Sequence, residues 1–334
     1  MASELDKLRP SGSYDHALLL REKSGVEFYI DYEKTFESTH CLACGSDNQA
    51  FRFKKYGFTH VECVDCLTMF VSPRPGDEAI GAFYNDYEAP QYWTDVLIAT
   101  ASDRKKVQHA PRIEKIRQAA ETYGIELSSL IDVGAGNGIF AQAAQESEIF
   151  NSVIACDLSD KCINSCAEKG LEVFHGPVGN YDGSASLITM NDLIEHVPDP
   201  LKLLQECHST LNDDGMLMLS TPNGRGFDFL LLGEKTQNVT PPEHLQYFNP
   251  SSMTTLLERA GFEVLEVTTP GVLDVWIIKS LLEKGDISFD ASTDTFINAM
   301  YSSEFDSALP LFQEFIQKAG LSSHMLAFAR KAKS

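Results

Sequence analysis

The stretch Leu130-Ile131-Asp132-Val133-Gly134-Ala135-Gly136-Asn137-Gly138 constrains this chain more than any other. It reads as a short buried strand running straight into a glycine loop, with a helical pattern beyond it at Phe140, Ala141 and Ala144. Strand, tight glycine turn and helix start make a nucleotide-binding arrangement. The glycines let backbone approach a ligand, and free N–H groups of the helix start face it. Such a turn belongs in a parallel sheet, and the remaining pattern supplies one. Apolar runs at Leu130–Val133, Val153–Cys156, Leu171–Phe174, Leu187–Met190, Met216–Leu219, Phe262–Val267 and Met325–Ala329 read as strands. Helix-like segments near 104–123, 139–148, 159–168, 199–211 and 251–260 lie between most of them. Alternating units of this kind predict an α/β fold: a doubly wound, mostly parallel, seven-stranded Rossmann-like sheet with helices on both faces.

The glycine spacing selects among nucleotides. A dinucleotide fingerprint would need a third glycine at 139, where Ile139 stands. Asp132 before the loop is a poor neighbour for a pyrophosphate but suits a cationic amino group. Asp132 with Gly134, Gly136 and Gly138 resembles motif I of the class I S-adenosylmethionine (SAM) methyltransferases. Asp157 ends the second strand, 19 residues after Gly138, where a carboxylate can accept both hydroxyls of a ribose. Ser159 is the better cap for the next helix, which leaves Asp157 for a ligand.

After the fourth strand the chain reads Thr189-Met190-Asn191-Asp192-Leu193-Ile194-Glu195-His196-Val197-Pro198-Asp199-Pro200. This segment is similar to the ubiquinone-biosynthesis O-methyltransferase group, with its Glu-His-Val-x-x-Pro core. The resemblance implies SAM as cofactor and a pocket lined by Met190, with Leu158 and Asn191 beside the acids. It also implies a last strand inserted antiparallel. Asp213-Asp214-Gly215 reads as a turn before strand five.

Cys41, Cys44, Cys63 and Cys66 form two C-x2-C pairs separated by 18 residues, the spacing of a two-knuckle Zn2+ site. Four thiolates leave the metal no open position, so the ion should be structural; iron in the same cage stays open. Cys156, Cys162, Cys166 and Cys207 fall within strand and helix patterns and read as core thiols. The chain therefore divides into an arm (1–37), a small N-terminal zinc ribbon (38–75), an aromatic linker or lid (76–103) and a methyltransferase-like domain (104–334). Ser220-Thr221-Pro222-Asn223 and Pro241-Pro242-Glu243-His244-Leu245-Gln246-Tyr247-Phe248 resemble a bacterial subfamily with a ribbon fused to this domain. Some of its members sit among genes for surface polysaccharide or lipid-linked sugar synthesis.

Methyl transfer is an in-line displacement in which the protein supplies alignment and removes a proton from the acceptor. His244 is the leading candidate base and His196 the second, though His196 equally suits bracing its loop; His324 is weaker. Residues 224–240 and 270–320 are expected to shape the acceptor pocket. The acceptor is read as a small or lipid-linked molecule, with a sugar as one option. Two other readings stay open: a scaffold that has lost catalysis, and a nucleic-acid methyltransferase. Intact acids and glycines argue against the first. Against the second stand a net charge of −21 over 334 residues and the absence of an Asn/Asp-Pro-Pro-Tyr/Phe signature after strand four. No apolar run reaches the length of a membrane span and no signal-peptide pattern opens the chain, so a cytoplasmic protein is expected.

Overall fold

A computed structural model describes residues 7–10, 12–290 and 292–332. After a helix at Ser13–Tyr32 come three short strands: β1 (Gln49–Lys55), β2 (Phe58–Cys63) and β3 (Met69–Val71). The large sheet is built from β4 (Ser129–Val133), β5 (Ser152–Asp157), β6 (Glu172–His175), β7 (Ala185–Asn191) and β8 (Leu211–Pro222). After β9 (Gln246–Tyr247) it is completed by β10 (Phe262–Thr268) and β11 (His324–Lys331). Its order is β10-β11-β8-β7-β4-β5-β6. The pairs from β8 to β6 are parallel, and β11 runs antiparallel to both β8 and β10. Leu130, Ile131 and Val133 are buried. A strand covered on both faces needs such a continuous apolar run.

The order reverses around β4, which pairs with β5 on one side and β7 on the other. Open α/β sheets bind ligands at this switch point, outside the carboxyl ends of the strands. Antiparallel β11 brings its first residue, His324, opposite Pro222 at that same edge. The expected turn at 213–215 is drawn into β8. Ladder pairing is made at Leu211 and resumes at Met216, so residues 212–215 bulge between. Exposed Asp213 and Asp214 fit such a bulge.

The ribbon is not a free appendage. Its strands β1-β2-β3 continue into β9, which lies far along the sequence, near His244. Cys41, Ala43, Val61, Cys63 and Phe70 share one apolar core with Phe248, Met253, Leu256 and the sheet residues Ile131 and Met190. Arg259 donates to the carbonyls of Leu42 and Ala43 at 3.2 and 2.6 Å, and Asn249 to that of Cys66 at 2.9 Å. The helix at Ser13–Tyr32 covers the ribbon through Phe28, which is fully buried among Phe58, Phe83, Tyr32 and Tyr87. The aromatic stretch forms two helices, Asp77–Asp86 and Glu88–Ala99. Phe83 packs inward while Tyr84 and Trp93 turn toward the strand tips. Among the described residues no helix is long and apolar enough to cross a membrane.

Candidate active site

Outside the strand tips lies a cleft of about 1660 Å³, larger than an ordinary small-molecule site. It has room for two ligands side by side. Its floor is the glycine loop, whose backbone is held by the next strand. Gly134 and Ala135 donate to the Cys156 carbonyl at 2.9 and 3.1 Å, Gly138 to that of Ala135, and Gly136 to Asp157 Oδ2 at 2.9 Å. The expected free N–H groups are thus already used at these four positions. Gly134, Gly136 and Gly138 all have positive φ. A side chain at Gly134 would strike Leu193 at 2.7 Å, whereas one at Gly138 would strike Cys166 and Leu171 at 2.8 Å. Gly138 therefore serves the packing of the loop on its helix, while Gly134 and Gly136 line the cleft.

Ser159 does cap the helix, accepting from the Cys162 N–H. Asp157 nonetheless carries two backbone bonds, from Gly136 to Oδ2 and from Ser159 to Oδ1, both at 2.9 Å. Each carboxylate oxygen has a second lone pair, so the group can hold the loop and accept a ligand hydroxyl on each oxygen. Leu158 next to it is exposed and lines the cleft.

Asp132 is buried at the switch point. Its Oδ1 accepts from Thr189 Oγ1 at 2.8 Å and Asn191 Nδ2 at 3.0 Å. Burial pushes its carboxyl up to about 7, against the pull of those bonds and of Arg112. Asn191 in turn accepts from Arg112. Arg112 is buried, lines the cleft and forms no ion pair among the described residues. Sequence reasoning missed it because it lies on a helix with no motif of its own. Met190 is fully buried in the core shared with Ile188 and Leu219 and is not part of the cleft wall.

The structure brings His196, His244 and His324 to this one cleft. His244 Nδ1 lies 2.8 Å from the Asn238 carbonyl, and His196 Nδ1 lies 2.8 Å from that of Glu243. A carbonyl only accepts, so each ring carries its proton on Nδ1 and keeps an Nε2 lone pair. The two rings meet edge to face at 4.7 Å. Burial lowers the affinity of both for a second proton, more strongly for His244, so both are neutral near pH 7. Glu195 Oε1 is buried without a hydrogen bond, and it comes within 4.8 Å of ligand atoms of both histidines, a set that could hold a divalent cation. Glu243 is clamped by Arg21, which reaches it from the Ser13–Tyr32 helix with contacts of 3.1 and 3.0 Å. Opposite them, His324 Nε2 sits 2.7 Å from Asp192 Oδ1. Asp192 has positive φ and also accepts from Ser220.

The four ribbon cysteines lie together, with Sγ–Sγ separations of 3.4 Å for Cys41–Cys66 and 3.6 Å for Cys44–Cys63. A tetrahedral zinc–thiolate site with bonds of about 2.3 Å has sulfur edges of about 3.8 Å, so the cage fits such an ion. Gly45 N–H to the Cys41 carbonyl and Leu67 N–H to that of Cys63 close the two knuckles. Residues 224–240 and 270–320 contribute Asp228, Gln237, Asn238 and Asp274 to the cleft wall.

Residues 104–267 match the family model described as a methyltransferase domain. The chain is 26% identical over 159 residues to a ubiquinone biosynthesis O-methyltransferase of Coxiella burnetii, covering 42% of this chain and 65% of that one. It is 26% identical over 178 residues to the protein of the same name from Nitrosospira multiformis, with coverages of 48% and 73%. The chain thus spans about two thirds of the length of these relatives. A SAM-dependent methyltransferase structure from Clostridium acetobutylicum aligns with a TM-score of 0.46 and 11% identity, over 73% of this chain and all of that one.

Proposed function

Because the chain belongs to the class I SAM-dependent methyltransferases, related to the ubiquinone-biosynthesis O-methyltransferase group, we propose that it methylates a small-molecule or lipid-linked acceptor, with a sugar hydroxyl as one option. The observation that carries this reading is the pair of acids, Asp132 and Asp157, at adjacent strand tips beside the glycine loop, opening into the same cleft as His244. SAM supplies an electrophilic methyl on a sulfonium. Asp157 would accept its ribose hydroxyls, Asp132 its ammonium, and Arg112 its carboxylate. Leu158 would cover the adenine side and Asn191 tie Asp132 to Arg112. Gly134 and Gly136 give the approach its room.

The Asp132 assignment predicts a proton linkage. An ammonium binds the ionised carboxylate, so affinity should be full above pH 7 and fall as pH drops through about 7, where the free carboxyl takes up its proton. Binding of S-adenosylhomocysteine (SAH) at pH 7 should then release on the order of half a proton. Calorimetry in two buffers of different ionisation enthalpy reads this directly. A heat independent of buffer would remove Asp132 from the ammonium site.

His244 acts in this reading as the general base, its tautomer fixed by Asn238. His196 packs on its ring and either positions it or shares the proton. His244→Asn should leave SAH affinity within twofold and lower the methyl-transfer rate by about 10²–10⁴. Loss of SAH binding instead would make His244 a structural residue. The four thiolates of Cys41, Cys44, Cys63 and Cys66 would hold Zn2+ as a cross-link under the acceptor side. We place this chemistry in the cytoplasm.

A further inference from the structure

We propose that the acceptor carries a phosphate or pyrophosphate group, and that this group seats between the guanidinium groups of Arg9 and Arg104 in the cleft wall. The inference rests on the methyltransferase reading and names the substrate class for the same site.

Both arginines line the cleft and are half-buried. Arg9 donates to Gln237 Oε1 at 2.9 Å and lies 4.6 Å from the Tyr14 ring centre. Arg104 donates to Thr100 Oγ1 at 2.8 Å, Gln108 Oε1 at 3.2 Å and the Leu8 carbonyl at 3.0 Å, and it lies over Trp93. Every one of these partners is neutral. Among the described residues neither guanidinium has a carboxylate within ion-pair distance. Arg21, by contrast, also lies over Trp93 but is matched by Glu243. In a chain of net charge −21, two neighbouring half-buried cations that have no carboxylate within ion-pair distance among the described residues, and only the more distant charge of Asp192 opposite Arg104, form a site that suits an anion. Burial, followed by the proximity of Arg9, brings the Arg104 guanidinium down to about 10, against the pull of Asp192.

Position assigns the anion to the acceptor rather than the cofactor. Gln237, which holds Arg9, is followed by Asn238, whose carbonyl fixes His244. The amino-acid end of the cofactor instead falls to Arg112, beside Asn191 and Asp132. Charge and donor count favour phosphate over carboxylate. Two cations match a dianion. A guanidinium has five N–H donors, and the bonds above use one on Arg9 and three on Arg104, which leaves more than the two oxygens of a carboxylate need. Planar guanidinium forks bind phosphate in bidentate fashion.

The test is calorimetric titration of the full-length, metal-replete, SAH-saturated protein with inorganic pyrophosphate, UDP-glucose and farnesyl pyrophosphate. The same titrations are run on Arg9→Gln and Arg104→Gln, with SAH affinity measured on every variant. Saturable binding that weakens at least tenfold in each variant, with SAH affinity unchanged within twofold, supports the site. UDP-glucose exceeding farnesyl pyrophosphate would identify a nucleotide-linked acceptor, and the reverse a lipid-linked one. Absence of binding by all three probes to a protein that binds SAH overturns the proposal, as does binding that both variants retain. A folded wild type that fails to bind SAH would overturn the methyltransferase reading itself, and this site with it.

Discussion

Replacing Asp157 by alanine should lower SAH affinity at least a hundredfold while the protein stays folded. Two ribose hydroxyls donating to a carboxylate are worth about 1.5 kcal/mol each at the low end, or about 3 kcal/mol together, and that is a factor of about 100. The structure adds a second loss. Asp157 also receives the N–H groups of Gly136 and Ser159, so the alanine variant releases the glycine loop on one side and the next helix entry on the other. The loop would have to be ordered on binding, which costs further affinity. Asp157→Asn keeps the shape of the side chain but places an NH2 where one backbone N–H or one hydroxyl must donate. It should fall between wild type and alanine. Equal SAH affinity in wild type and the alanine variant would show that the ribose lies elsewhere.

If the four ribbon cysteines hold zinc as proposed, removing it should destabilise the sheet domain as well as the ribbon. Cys41 and Cys63 are fully buried in the core that also contains Ile131, Met190 and Leu219 of the large sheet. Without the ion, four thiols close together have no common partner, and the knuckles held by Arg259 and Asn249 lose their anchor. Structural zinc contributes folding free energy outright. A loss of several kcal/mol in a chain this long lowers Tm by roughly 10 °C. Chelation, or Cys63→Ser, is therefore expected to shift one cooperative transition downward and to weaken acceptor binding, because β9 ties the ribbon sheet to the segment carrying Glu243 and His244. Restored zinc should return the Tm of the chelated wild type. An unchanged main transition after verified metal loss would mean that the ribbon is an independent appendage.

The glycine loop and its flanking acids were legible as a cluster because their information is local. Asp132, Gly134, Gly136 and Asp157 lie at the ends of adjacent strands, and strand ends, glycines and caps leave marks along the chain. The inner strands were legible for the same reason: β4, β5, β7 and β8, parallel and largely buried, read as apolar runs. What escaped was the function of positions whose neighbours come from far away. Gly138 and Met190 look like ligand contacts in a motif, yet Gly138 lies tight against Cys166 and Leu171, and Met190 lies in the sheet core. The loop N–H groups look free until the Cys156 carbonyl and Asp157 are seen to take them. The cleft wall proposed for the acceptor was the least legible. Arg9, Arg21, Tyr84, Trp93, Arg104 and Gln237 come from the arm, three helical segments and one loop. On such helices, polar residues that face a cleft are spaced like those that face solvent.

The central claim is that the acid-flanked glycine loop binds the cofactor of methyl transfer. Its most direct test is calorimetric titration of the purified, metal-replete wild-type protein with SAH. The account predicts saturable one-to-one binding, displaced by SAM and not by NAD. A folded protein that gives no binding heat with either compound at any temperature tested, and no rise in Tm at millimolar SAH, would contradict it and leave the fold as a scaffold.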